Sequence, residues 1–385
     1  MQTLPYVVVT NPHMSHVYEL YYKAFEVLRR VPEIKTIEDN DQYCKVISET
    51  LREHLTVIPR LAVGVLECRD LIPSEQMDKF MNTLLRSRIS RRVIAQQHLA
   101  LTETFNAPWH FPDANGAKST HDANGGFVGE VFLKCNAREV VEQCGQTARN
   151  AVQQACGDAS IIPLITIEGH LDATFPYILG HLEYIIGELL RNSVQAVVER
   201  HQRIQAALPP PPIEVLICEA PHHVIIRISD RGGGIPREIL PHLWSFNKGP
   251  RIEARLSNLL KVPEMAATMH EIKTLDSASQ NDNGKVQNTK TSHRRHQGFS
   301  ANTQTLSAQS HAAVPASSSL GSLISRPPDL KLGMGLPMSR VYAEYWAGSL
   351  EIHSLEGYGV DSFLQISKLG NKNEQLVTRA SMDAV

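Results

Sequence analysis

Apolar residues recur at spacings of three and four through the first part of the chain, the mark of helices with one buried face. Between Ser15 and Arg30 that face is Val17, Leu20, Tyr21, Ala24, Val27 and Leu28. From about Asp41 to Leu71 it is Tyr43, Ile47, Leu51, Leu55, Ile58, Ala62 and Val65, and Pro59 is expected to kink this one long helix without ending it. Pro73-Ser74-Glu75 starts a third helix, carrying Met77, Phe80, Met81, Leu84, Leu85, Ile89 and Val93. Ala137 to Cys156 reads as a fourth, with Val141, Cys144, Ala148, Val152 and Ala155 on one side. Four such helices predict an all-α, antiparallel four-helix bundle over residues 11–157. A polar, turn-rich loop insertion interrupts it at 106–126.

After Ile161 the period changes. Ile161–Ile167, Ile213–Cys218 and Val224–Ile228 are β-branched runs, and Leu350–His353 and Ser362–Ile366 are two more near the end. A helical stretch, Glu183–Glu199, follows the first run, and another opens at Gly335 before the last two. The pattern predicts an α/β sandwich over 158–370, with Pro209–Pro212 as a stiff connector and 371–385 as a tail. Within it, 253–328 is rich in Ser, Gln, Asn and His. So few apolar groups cannot offset the cost of ordering a chain, so most of this insertion is expected to be disordered.

Composition trims the options. The 385 residues suit two domains, and 42% hydrophobic with 20% charged residues suits a packed core. A formal net charge of −2 argues against a nucleic-acid or membrane-surface partner, and no apolar run approaches the ~18 residues of a membrane span. The six cysteines form no Cys-x-x-Cys pair and mostly sit in apolar patterns, which favours core thiols over a disulfide framework. The seventeen histidines have no zinc-ligand spacing. Met1–Tyr6 is neither Arg-rich nor an apolar signal core, so no targeting segment is legible there.

Three stretches carry candidate chemistry. In the Glu183–Glu199 helix, Glu188 and Asn192 stand four apart and so share a face. Two oxygen donors at that spacing suit a hard cation such as Mg²⁺, and the carboxylate suits proton abstraction from a hydroxyl. Alone, the pair reads as a solvated helix face. The β-branched run ending in Asp230-Arg231-Gly232-Gly233-Gly234 lets backbone approach a ligand closely, although alone it reads as a turn. Gly333-Met334-Gly335-Leu336 opens a helix, where backbone N–H groups favour phosphate, although alone it reads as a joint.

In this order and at these element boundaries, the three resemble the nucleotide site of the GHKL superfamily of ATPases and kinases. Ile228-Ser229-Asp230-Arg231-Gly232-Gly233-Gly234-Ile235 and Gly333-Met334-Gly335-Leu336-Pro337-Met338-Ser339-Arg340-Val341-Tyr342 are similar to the mitochondrial protein kinases of 2-oxoacid dehydrogenase complexes, pyruvate or branched-chain. The likeness runs from about Asn11 to Leu369 apart from the two insertions. It implies a GHKL (Bergerat) ATP-binding fold, a mitochondrial matrix location, and ATP with Mg²⁺, and K⁺ as a further ion. It also implies transfer of phosphate to a serine of the dehydrogenase alpha subunit, docking on the lipoyl domain of the acyltransferase core, and a homodimer.

Carried over by residue, the resemblance makes Glu188 the catalytic base and Asn192 the magnesium ligand. Asp230 would accept from the adenine amino group, with Gly232 and Gly234 closing on adenine and ribose. Gly333, Met334, Gly335 and Leu336 would wrap the phosphates, and Arg191 keeps a basic residue where the family commonly has lysine. Lys331 replaces the first glycine of a Gly-x-Gly-x-Gly loop, where its amine could reach phosphate or the loop could be stiffer, and Lys248 stands in as a charge for paired hydroxyls at the lid edge, Ser245–Pro250. Tyr184 stands where the pyruvate enzymes commonly have histidine, which leaves the subtype open. His54, Arg88 and Arg92 match positions that line an inhibitory 2-oxoacid pocket in relatives, and surface or ion-paired arginines are the alternative. Two rival functions share the fold: an ATP-binding regulator without transfer activity, and a two-component histidine kinase, for which His54 and His98 lack the expected context.

Overall fold

The computed structural model describes residues 4–106, 127–204, 208–249, 252–261, 326 and 330–368. Helices fill the N-terminal part: α1 (Tyr6–Val9), α2 (Pro12–Arg29), α3 (Ile37–Glu53), α4 (Val57–Glu67) and α5 (Ser74–Asn106). Their starts are chemically marked. Asn11 accepts from the amides of His13 and Met14, with Pro12 in the first turn of α2, and Thr36 and Asp39 form a reciprocal capping box on α3. α4 lies against α2, and α3 lies against α5.

The single kinked helix expected over Asp41–Leu71 is two helices. A 3-10 turn, His54–Thr56, separates α3 from α4. Pro59 then falls in the first turn of α4, where its missing N–H would have had no helical partner in any case. The break turns the apolar α4 inward, and all of Val57–Leu66 is buried.

The remaining elements are β1 (Phe127–Val128), β2 (Val131–Asn136), α6 (Ala137–Cys156), β3 (Ile165–Gly169), β4 (Thr174–Tyr177), α7 (Leu179–Ile204), β5 (Ile213–Glu219), β6 (His223–Asp230), α8 (Ile252–Lys261), α9 (Gly335–Tyr345), β7 (Ser349–Leu355) and β8 (Gly359–Ser367). A five-stranded sheet has the order β3-β5-β6-β8-β7, parallel only between β3 and β5. A smaller sheet, β1-β2-β4, was not expected from the sequence.

The fourth expected bundle helix, α6, instead packs along α7 and touches β2. Its buried face comprises Val140, Val141, Cys144, Ala148 and Val152, and the Cys144 thiol reaches the Glu183 carbonyl of α7. Asn136 caps its start, and Gly157, with φ of 73°, ends it.

α7 lies between α6 and the large sheet, and so carries buried apolar residues around much of its circumference: Leu182, Ile185, Ile186, Leu189, Leu190, Val194 and Val197. Across the sheet, Val224, Ile226 and Ile228 of β6 alternate inward and pair with Ile366, Leu364 and Ser362 of β8. Asp230 is the next inward position of that same strand.

The tract expected to be mostly disordered, 253–328, is corrected at both ends. Residues 253–261 belong to α8, because Arg255 and Leu259 form a buried face one turn apart, and α8 packs on α4. Arg326 is buried against α7. Residues 262–325 lie outside the described residues, as do most of the loop insertion at 106–126 and the tail at 371–385. Among the described residues no helix is long and apolar enough to cross a membrane. Cys68, Cys135 and Cys144 are buried thiols, whereas Cys156 and Cys218 are exposed.

Candidate active site

α7 turns Glu188 and Asn192 to different surroundings, although they share a side of the helix. Glu188 is 1% exposed, and Asn192, one turn on, is open to solvent. The Glu188 carboxylate is clamped bidentately. Arg326 Nη1 donates to Oε1 at 2.7 Å and Nη2 to Oε2 at 2.8 Å. Arg191 Nε stands 3.8 Å from Oε1, and Arg191 Nη1 donates to the Arg326 carbonyl at 2.8 Å. The carboxylate also abuts Gly335, the first residue of α9, where the helix start favours negative charge. Gly335 cannot carry a side chain here, because a Cβ would run into Glu188 Oε2.

Burial and neighbouring charge shift the groups around Glu188 in different directions. Burial, and then the neighbouring Arg326 charge, bring the Arg191 guanidinium down to about 10. Burial also works against Arg326, but Glu188 outweighs it and the group stands above its ordinary value. Tyr184 is buried one turn before Glu188; burial, and then Glu188, push its phenol well up. Its hydroxyl faces the Met338 sulfur at 3.8 Å.

Asp230 is held by neutral donors. Gly232 N–H donates to Oδ1 at 2.8 Å and Ser193 Oγ donates to Oδ2 at 3.0 Å. Burial pushes the Asp230 carboxyl up, and the hydrogen bonds from Gly232, Ser193 and Val360 partly offset it. Ser193 follows Asn192 directly, so α7 positions both ends of the site. Gly232 is pressed against Ala196 of α7, and Gly234 against the Leu355 carbonyl. The protein's own packing therefore requires both glycines.

Lys248 is exposed at the lid edge. Lys331 is also exposed, and its amine lies on Glu199 at 2.6 Å instead of pointing into the site. Met334 is buried and Leu336 half-buried at the start of α9. The N-terminal helices reach this region: Phe246 N–H donates to Asp78 of α5 at 2.8 Å, and Arg86 of α5 pairs with Glu344 of α9 at 2.5 Å.

Arg88 stands near both His54 and Arg92. Arg88 Nη2 donates to the His54 carbonyl at 3.0 Å, and His54 Nε2 lies 3.2 Å from the Leu20 carbonyl. Burial holds the imidazole below its ordinary value. Burial, and then Arg88, lower Arg92, whose buried Nη1 has no partner among the described residues. Two close guanidinium groups with an unused donor suit a small carboxylate.

Three side chains that contact the candidate site escaped sequence reasoning: Arg326 on Glu188, Ser193 on Asp230 and Arg255 on the Gly333 carbonyl. Arg326 and Arg255 lie in a tract whose composition reads as unfolded. Their signal would have been an arginine in an otherwise polar insertion close to a buried acid. Ser193 was overlooked beside Asn192, although a hydroxyl on the sheet-facing side of α7 is the natural partner for a strand-end carboxylate.

The donor set fits magnesium nucleotide. Asn192 offers an open carboxamide oxygen, and Mg²⁺ needs little more from a protein when phosphates and waters complete its shell. Among the described residues no cluster of His, Cys, Asp and Glu forms a full ligand cage.

Known proteins bear on this arrangement. Residues 1–132 match the model of a family described as mitochondrial branched-chain alpha-ketoacid dehydrogenase kinase. The chain is 32% identical over 381 residues to the mitochondrial [pyruvate dehydrogenase (acetyl-transferring)] kinase 2 of Saccharomyces cerevisiae, covering 98% of this chain and 74% of the yeast protein. It is 28% identical over 383 residues to the mitochondrial [pyruvate dehydrogenase (acetyl-transferring)] kinase of Arabidopsis thaliana, covering 98% and 81%. It is 24% identical over 332 residues to isozyme 4 of the same kinase in Homo sapiens, covering 83% and 60%.

Proposed function

The chain belongs to the family of mitochondrial pyruvate and branched-chain 2-oxoacid dehydrogenase kinases, and from that membership we infer a mitochondrial protein serine kinase that uses ATP to regulate a 2-oxoacid dehydrogenase complex. The substrate we favour is the alpha subunit of pyruvate dehydrogenase, which phosphorylation would inactivate. The likenesses that span 98% of this chain are to pyruvate dehydrogenase kinases, whereas the branched-chain family model is matched over residues 1–132.

One observation carries the reading: two segments far apart in sequence, the Asp230–Gly234 turn and the loop at Gly335, converge on one helix, α7. Gly335 abuts Glu188, Asp230 is bonded to Ser193, and Gly232 rests on Ala196, all on α7. This convergence, with the mixed sheet beneath it, supports a GHKL-type ATP domain. In this reading the adenine amino group donates to Asp230, and the start of α9 receives the phosphates. Mg²⁺ held by Asn192 would neutralise phosphate charge. The serine oxygen forms the new bond to the γ-phosphorus, the bond to the β,γ-bridging oxygen breaks, and the serine proton passes to Glu188. Glu188 can take that proton only after Arg326 has left its carboxylate, because both oxygens are now engaged and the group is sealed from solvent. The N-terminal helices would supply the docking surface for a lipoyl domain, and His54, Arg88 and Arg92 a site for an inhibitory 2-oxoacid.

Purified chain given labelled ATP and Mg²⁺, with the pyruvate and the branched-chain dehydrogenase components side by side, should label a serine of the pyruvate component. Labelling confined to the branched-chain component reverses the substrate choice. The closed Glu188–Arg326 pair favours one second reading, an ATP-binding regulator that never transfers phosphate. Nucleotide binding with no phosphorylated product on either component would select it.

A further inference from the structure

Arg255 is a buried cation whose guanidinium meets only backbone carbonyls in its hydrogen bonds. Nε donates to Leu332 O at 3.1 Å, and Nη2 donates to Gly333 O at 3.1 Å. Nη1 donates to Lys248 O at 3.0 Å, and Nη2 donates also to Phe246 O at 3.1 Å. One side chain from α8 thus ties the lid edge to the glycine-rich loop. α8 itself is anchored through the fully buried Leu259, one turn on, where it packs against α4.

Peptide planarity gives this tie a consequence. In a trans peptide the carbonyl of one residue and the N–H of the next point in opposite directions. There is no cis bond among the described residues. With the Leu332 and Gly333 carbonyls drawn onto Arg255, the N–H groups of Gly333 and Met334 must face away from it. Among the described residues neither amide donates a hydrogen bond. Gly333 has φ of 70°, and a Cβ there would collide with the Arg255 guanidinium, so the glycine is required by the arginine.

We propose that Arg255 is the positioning residue of the phosphate loop: without touching nucleotide, it aims the free Gly333 and Met334 amides at the ATP phosphates. The inference rests on the ATP site argued above. A planar fork is needed, because four carbonyls in two loops must be met at once, and lysine offers only a point charge on a flexible stem. Each lost charge-assisted amide contact is worth about a tenfold change in affinity.

The test titrates the full chain with Mg-ATP and, separately, with adenosine, which depends on Asp230 but not on the phosphate loop. Arg255→Met and Arg255→Lys should each weaken ATP by ~10-fold or more and leave adenosine within about twofold of the parent. Should either arginine variant fail to fold, as judged by thermal unfolding, Gly333→Ala must give the same selective loss. Equal loss of ATP and adenosine, no loss of either, or full rescue by lysine overturns the inference while leaving the site intact. A parent chain that binds neither ligand overturns the site, and this inference with it.

Discussion

The two ends of the site are each built around a buried carboxylate, and the two are held in opposite ways. Asp230 is a sheet residue whose oxygens are met by neutral donors from its own turn and from α7. Its charge is hydrogen-bonded but not cancelled, which is why burial pushes the carboxyl up. Glu188 is met by two guanidinium groups and a helix start, so its charge is cancelled where it stands. One of those cations, Arg326, comes from a segment distant in sequence. The adenine end is therefore complete within the sheet and α7, and the phosphate end is complete only when a remote side chain is seated. On the function proposed above, recognition of the base asks for no rearrangement, whereas Glu188 acts as base once Arg326 has left it.

The largest effect expected is at the reacting end. Asn192→Ala removes the only side chain we assign to magnesium, and phosphate transfer should fall by roughly 10³-fold or beyond, about 4 kcal/mol of barrier, in line with the loss of a preorganised transition-state donor. Adenosine binding should be untouched, because Asp230 and Ser193 remain. Labelled-phosphate transfer and adenosine titration on the same preparation check both halves. Equal loss of both would erase the distinction between the two ends.

Next comes the ion pair. Arg326→Met leaves a buried carboxylate with Arg191, at 3.8 Å, as the remaining guanidinium beside it among the described residues. Loss of one partner of a buried pair costs ~3–5 kcal/mol, and the residual arginine places this case near ~3. Glu188→Leu added to Arg326→Met should recover most of that loss, because apolar packing replaces a buried pair at little net cost. Denaturant midpoints of the two variants measure it. A loss under about 1 kcal/mol would mean that the clamp is no better than a surface bridge.

Asp230→Asn probes the other end with a smaller change. The carboxyl is raised in the folded chain, so folding takes up a proton between the ordinary aspartate range and the raised value. Its contribution to stability is full below the ordinary range and is lost as pH climbs through the raised value. Asparagine has no such dependence, so the variant should gain on the parent as pH rises from acid to neutral. Adenosine affinity should meanwhile fall by about 1.5–3 kcal/mol, the worth of a hydrogen bond to a charged group. Unfolding at acid and neutral pH, with adenosine titration at neutral pH, gives the two readings. A variant that loses ground with rising pH contradicts the picture of an uncompensated charge.

What could be read from the sequence is the local part. α6 was legible to the residue, because a capping asparagine, an apolar stripe and a terminal glycine agree. β5 and β6 were legible from β-branched alternation, and with them Asp230 as a strand-end acid. Position in the chain misled where tertiary packing decides. α6 reads as a bundle helix by sequence order, but it packs along α7. The small sheet went unseen because β4 has only four residues and β2 carries Lys134 mid-strand. The Glu188–Arg326 pair spans 138 positions, and no local period encodes such a contact. Asp230 and Gly232 are neighbours in sequence and their turn could be read; Ser193, 37 positions from Asp230, and Arg326, 138 positions from Glu188, could not.

Lys331 gives the smallest and sharpest test, because it stands beside the phosphate loop yet is committed elsewhere. Its amine is half exposed and lies on Glu199 at 2.6 Å. Exposed pairs of this kind contribute ~0–1 kcal/mol, so Lys331→Ala should shift the unfolding midpoint very little. The effect on ATP follows from the same geometry. An amine engaged by Glu199 is already neutralised locally and gives the triphosphate only a screened attraction. ATP affinity should therefore fall by less than about threefold, and Glu199→Gln, which frees the amine, should raise it by a similar factor, most clearly at low salt. A tenfold loss on Lys331→Ala would mean that the lysine leaves Glu199 for phosphate. The phosphate end would then draw on Lys331 as well as Arg326, and its dependence on groups outside the sheet would be deeper still.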